Sequence, residues 1–196
     1  MSDVRLIERW LPIAALGEES ARERRSMTAL PAPYYLHVWW ARRPLVAARA
    51  AIMASLLPHS VDRDRFLNVL GIHGDPLESR RRIERAKRSG VRFEGDAYTY
   101  ERAFSHCPTA DDRRWFHEAV GQERIVVVDP TAGGGSIPFE ASRLGIETLA
   151  NDLNPVAAVV LAATISHPAK FGVALVEEYR KISTTFLQMR DHLTCH

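Results

Sequence analysis

One stretch, RIVVVDPTAGGGSIPFEASRLGIETLANDLNP at residues 124–155, limits what this chain can fold into more than any other. A β-branched run ends at Asp129, three glycines follow at 133, 134 and 135, and a helical pattern then runs to Gly145. A second strand-like run closes on Asp152, and Asn154-Pro155 opens another helical pattern. Strands alternating with helices at this spacing predict a parallel α/β sheet, with residues 124–129 as a buried strand. A glycine turn between strand and helix lets a ligand approach the backbone, because glycine reaches positive φ and carries no Cβ.

The neighbouring residues narrow the ligand. Asp152 lies 23 positions after Asp129, and a carboxylate about 20 residues beyond such a turn hydrogen-bonds ribose hydroxyls in nucleotide-binding folds. The third glycine slot of the dinucleotide fingerprint, counted from Gly133, holds Pro138. No Gly-Lys-Ser/Thr follows, as a phosphate-binding loop requires. A ribose-bearing ligand without a pyrophosphate fits better, with S-adenosylmethionine the main candidate. The plainer alternative is a tight turn in which Asp129 only caps the helix.

The remainder of the chain reads as helical. Residues 3–17 predict a short amphipathic helix stopped by Gly17, and GEESARERRSMTALPAP predicts an exposed polar segment running into a loop. The stretch YYLHVWWARRP leads into a helix from Pro44 to Pro58, a placement that suits proline's fixed φ. Residues 60–120 read as short helices and loops, including the basic DPLESRRRIERAKRSG and a helix over TADDRRWFHEAVG. A third amphipathic helix covers VALVEEYRKISTTFLQMRDHL near the C-terminus.

The chain has 196 residues, of which 46% are hydrophobic and 26% charged, with a formal charge of +2. These are values of ordinary globular protein. No apolar run approaches the roughly 20 residues of a membrane span, and the charged N-terminus lacks a signal peptide's apolar core. A cytoplasmic protein is expected. Cys107 and Cys195 show no metal-binding spacing, and His192, Cys195 and His196 cluster only at the terminus, so no metal site is expected.

The segment VVVDPTAGGGSIPFEASRLGIETLANDLNP resembles the first two cofactor motifs of amino-group DNA methyltransferases, whose first motif often reads Asp-Pro-Phe-x-Gly-x-Gly. Residues 7–58, from IERWLP to ASLLP, resemble the N-terminal domain of large adenine-specific DNA methylases. Those proteins carry a zinc ribbon and a catalytic segment further downstream. The resemblance implies an α/β chain. A mainly helical region, residues 1–120, would precede the first two β-α units of a partial Rossmann-like methyltransferase, residues 121–196. It further implies that Asp129, Thr131, Gly133 and Gly135 line the methionine and ribose portion of S-adenosylmethionine. Asp152 would hold the ribose hydroxyls, and Asn154 would lie near the adenine. HVWWARRP is similar to an additional cofactor motif of such enzymes, which would bring His37, Trp40 and Arg43 to the methionine end.

Two further features bear on partners. Trp39 and Trp40 beside Arg42 and Arg43 suit stacking on a base or a cofactor ring, against the alternative of a hydrophobic anchor for the following helix. Cations at a helix N-terminus oppose its dipole, which favours an external anion there. Arg80, Arg81, Arg82, Arg85, Lys87, Arg88 and Arg92 form the densest positive cluster. Phosphate contact with DNA is the functional expectation for Arg80, Arg81, Arg82, Arg85 and Arg88. A solvated face interrupted by Glu78 and Glu84 is the alternative.

Adenine N6 methylation requires a flipped base held in line with the sulfonium methyl. In the resembled family an Asp/Asn-Pro-Pro-aromatic motif does this. No Pro-Pro pair occurs here, so no catalytic residue is assigned. The chain is therefore expected to be the cofactor-binding N-terminal part of an adenine-specific DNA methyltransferase of restriction or phage defence. Its partners would be DNA and a missing C-terminal catalytic portion, in cis or as a separate chain. A non-catalytic DNA-binding or assembly module is an alternative, as is a methyltransferase acting on RNA or protein.

Overall fold

The computed structural model describes residues 4–26, 30–91, 97–121 and 124–194, with side chains to residue 190. Arg92, Cys195 and His196 lie outside these residues. Nine α-helices and two strands are described: α1 (Ile13–Arg24), α2 (Leu45–Leu56), α3 (Arg63–Leu70), α4 (Pro76–Arg88), α5 (Ala110–Val120), β1 (Val126–Asp129), α6 (Ser136–Arg143), β2 (Glu147–Ala150), α7 (Pro155–Leu161), α8 (His167–Phe171) and α9 (Val173–Thr194). The protein is mainly helical, with one two-stranded parallel sheet in which Val126 faces Glu147 and Asp129 faces Ala150. The expected strand, glycine turn, helix and strand are all present in order.

Local chemistry sets most boundaries. Asp62, Asp75 and Asn154 accept N–H groups of the first turns of α3, α4 and α7. Thr109 and Asp112 form a capping box at α5, which Gly121 ends at φ +65°. Between α7 and α8 the helix widens into a π-turn at Ala162–Ser166.

α2 is buried nearly all round and forms the centre of the molecule. One continuous core joins Leu6, Val46, Met53, Phe66, Phe116, Ala141, Leu144 and Ile146, so it crosses residue 120 without a break. A buried ion pair lies within it. Arg49 of α2 meets Glu140 of α6 through Nε at 2.6 Å and Nη2 at 3.1 Å, and neither side chain is exposed. Arg49 also donates to the carbonyls of Val69, Leu70 and His106, and Arg143 donates to Glu140, so the charges are well solvated by protein.

Two expectations are corrected. Gly17 does not stop the first helix. Residues 6–8 form only a 3-10 turn, and α1 runs from 13 to 24 through the segment expected to be exposed. Glu18, Glu19, Arg22 and Glu23 are buried because partners from elsewhere in the chain receive them. Glu18 accepts from Arg80 and Tyr98, Glu19 accepts from Tyr100 and the Ala103 N–H, and Arg22 lies 3.8 Å from the centre of the Tyr98 ring. The strand β1 is also not buried on both faces. Helices cover one side, whereas Val126, Val128 and Leu149 are exposed on the sheet, Val128 at 65%. Helix α9 likewise exposes Tyr179, Ile182, Phe186 and Met189. Among the described residues, no single helix is long and apolar enough to cross a membrane.

Candidate functional site

The carboxyl ends of β1 and β2 are stitched together by the turns that follow them. Asn151 N–H donates to the Asp129 carbonyl at 2.9 Å, and Ala132 N–H donates to the Asn151 carbonyl at 3.0 Å. Asp152 completes the seam, accepting from Gly133 N–H at 2.8 Å through Oδ2 and from Asn154 N–H at 2.8 Å through Oδ1. The Asn154 and Gly133 N–H groups hold the Asp152 carboxyl below its ordinary value. Asp129 is buried and accepts from Thr131 N–H at 3.2 Å.

Against this turn lies a cleft of about 170 Å³. One wall is Asp129, Thr131 and Gly133; the other comes from the irregular segment after Tyr34, through Trp39, Arg42 and Arg43. The segment is tied at its base, where Tyr34 Oη (3.3 Å) and Ser136 Oγ (2.9 Å) both donate to the Arg43 carbonyl. Directly beyond, the Glu23 carboxylate accepts the Leu45 N–H at the start of α2, at 3.0 and 3.1 Å. Burial pushes the Glu23 carboxyl up to about 7, against the pull of the Leu45 and Val46 N–H groups.

Two of the three glycines face Trp39 and the third does not. A methyl at Gly133 would come within 2.6 Å of the Trp39 Nε1, and one at Gly134 within 2.7 Å of the Trp39 Cβ. Gly133 also needs its φ of +52°. Gly135, at φ +81°, is packed against Leu161 and Ile165 and not against Trp39. A second depression, of about 380 Å³, lies beyond the strand ends between Leu149, Asn151, Leu161 and Ile165, and Asp129 borders it too.

Asp129, Thr131, Gly133 and Arg43 are thus brought together at the cleft, and Asp152 is joined to it through Gly133. Gly135 supports α7 from behind. Asn154 Oδ1 accepts the Val156 N–H as the cap of α7. Trp40, expected at the methionine end, does not line the cleft; it is 75% exposed, with its ring 5.0 Å from that of Trp39. His37 packs edge-on to both tryptophans and also lies outside the lining, its Nε2 buried without a hydrogen-bond partner among the described residues. Trp39, expected with Trp40 only as a stacking surface for a base or cofactor ring, lines the cleft, and Tyr34 and Ser136 take part without having been expected. An irregular segment has no period from which to choose between adjacent tryptophans.

Three of the α4 arginines are paired with neighbouring carboxylates. Arg80 pairs with Glu18 and Glu84, Arg85 with Glu78 at 2.6 Å, and Arg81 with Glu78 at 3.7 Å. Arg82 also has a partner, and Arg88 lies close enough to Glu84 to favour its charged form. Among the described residues, Arg24, Arg42 and Arg43 are exposed and enter no ion pair, although Arg42 lies over the Tyr34 ring.

Comparison with known proteins adds one match. Residues 10–85, under half of the chain, match a family described as a protein of unknown function (DUF1156). No curated protein and no solved structure matches the chain. The matched span takes in α1, α2 and the segment between them that forms one wall of the cleft.

Proposed function

We propose that this chain is the cofactor-binding part of an S-adenosylmethionine-dependent, adenine-specific DNA methyltransferase of a restriction or phage-defence system. In this reading β1, α6, β2 and α7 are the first two β-α units of a Rossmann-like sheet. The observation that carries it is the Asp152–Gly133 hydrogen bond. It joins a glycine turn and a second acidic turn at the carboxyl ends of adjacent parallel strands, where open α/β sheets bind their ligands.

The residues present suit the two ends of that cofactor. Arg43 offers a cation to the methionine carboxylate, and Asp129 offers an anion to its ammonium group. Trp39, in place of Trp40, offers an aromatic face to the sulfonium. Asp152 accepts two N–H groups, and a carboxylate has about four acceptor sites, which leaves room for ribose hydroxyls. The cleft is smaller than the roughly 300 Å³ at which small-molecule pockets begin, so it takes the amino-acid end of the cofactor.

When bound, the cofactor supplies an electrophilic methyl group. The chain's own residues bind and orient it, and the acceptors for the adenine amine come from further polypeptide, in cis or as a separate chain. The exposed Val126, Val128 and Leu149 support that part of the reading, since additional sheet or helix would cover them.

Calorimetric titration of S-adenosylmethionine into the wild type, Asp129→Asn and Asp152→Asn tests the assignment. Binding by the wild type that weakens tenfold or more in each variant is expected. Equal affinity in all three proteins, or no binding by the wild type, would rule it out.

A further inference from the structure

On α4, the most concentrated run of charge, Arg80, Arg81 and Arg85 already hold Glu18, Glu78 and Glu84. The rim of the cleft is different. Arg42 and Arg43 stand just before the N-terminus of α2, where the helix dipole repels cations, and neither has an acidic partner. Arg24, at the end of α1, borders the same recess as Arg42. Glu23 borders it too, but is buried with its oxygens turned to the Leu45 N–H. Beside these cations Trp40 is 75% exposed, held edge-on by His37 and Trp39. Unneutralised guanidinium groups next to an exposed indole are the two parts of a single-strand nucleic-acid site: phosphates meet the cations and a base stacks on the ring.

We infer that the rim formed by Arg24, Trp40, Arg42 and Arg43 is a contact surface for single-stranded or locally unpaired nucleic acid, lying at the mouth of the candidate cofactor cleft. The inference rests on the reading above for the class of acceptor, and on this surface for its location. An anionic membrane also attracts arginine and tryptophan, but surface-binding segments bury the apolar face of an amphipathic helix. Residues 36–43 are irregular and border a concave cleft.

The test is fluorescence anisotropy of a labelled single-stranded oligonucleotide against the wild type, Trp40→Ala, Arg42→Ala/Arg43→Ala and, on α4, Arg81→Ala/Arg85→Ala. All the altered side chains are exposed, and the Arg43 carbonyl that ties the segment is untouched. Each rim variant should weaken binding about tenfold or more, and the double arginine variant should lower the salt slope by about 1 to 2, at about 0.7 per phosphate. The α4 variant should bind as the wild type does. Equal loss in the α4 variant, wild-type affinity in the rim variants, or no oligonucleotide binding at all would overturn the inference. So would rim-dependent binding to phosphatidylserine vesicles in preference to the oligonucleotide. Titrating S-adenosylmethionine into the same wild-type protein separates the two assignments. Rim-dependent oligonucleotide binding without cofactor binding keeps the surface and removes the methyltransferase reading; cofactor binding without rim dependence does the reverse.

Discussion

Gly134 is the residue at which glycine serves a neighbour and not its own backbone. Its φ is not positive, yet a methyl there would meet the Trp39 Cβ at 2.7 Å. Gly134→Ala should therefore cost about 1–3 kcal/mol through overpacking alone and expose the Trp39 indole to a fluorescence quencher. Because the clash is with the Cβ, Trp39→Gly should remove it. In a double-mutant cycle read by urea denaturation, Gly134→Ala added to Trp39→Gly should then cost much less than in the wild type. Residue-scale features of this kind were only half legible. Glycines after a strand announce a close approach, but nothing local says that the approaching group is a side chain of the same chain, 94 positions before Gly133. For the same reason Trp40 stood in the sequence reading where Trp39 stands in the structure.

The pairing of α2 with α6 is the main structural tie between the two walls of the cleft. Glu140→Gln leaves the fully buried Arg49 guanidinium and the mostly buried Arg143 guanidinium without their carboxylate, and should destabilise the protein by about 3–5 kcal/mol in urea denaturation. Replacing both members, as in Arg49→Met/Glu140→Leu, should recover much of that loss. A full loss in the double variant would show that Arg49's bonds to the Val69, Leu70 and His106 carbonyls matter more than the pair. Elements whose signals are local, such as β1, the glycine turn, α6 and α5, were readable from the chain. The extent of α1 was not. Four of its polar residues are buried only because Arg80, Tyr98, Tyr100 and Leu45 arrive from elsewhere, and a helix so charged reads as surface.

Across the whole molecule, the buried Glu23 and the partly buried His106 set opposing responses to acid. Folding raises Glu23 from 4.5 to about 7, chiefly by burial, so between those values the native protein holds a proton that the unfolded chain has released. Its contribution to stability is present below pH 4.5 and is lost as pH rises through 7. His106 is lowered from 6.5 to about 4 by burial and by the Arg49 charge. Its contribution is present above pH 6.5 and is lost as pH falls through 4. Over pH 4.5–6.5 the two slopes cancel. Glu23→Gln should uncover acid sensitivity in the melting temperature across that window, and His106→Asn should instead make the protein melt higher on acidification. Unchanged profiles in both variants would remove these groups from the account. The parallel pairing of β1 and β2 carries one more consequence, in the time domain. No hairpin can form this sheet, and its crossover helix docks through Glu140 onto an arginine 91 residues away. If that long-range closure is part of the transition state, Glu140→Gln will slow refolding as well as speed unfolding in stopped-flow chevrons. The two walls of the cleft would then already be together at the rate-limiting step.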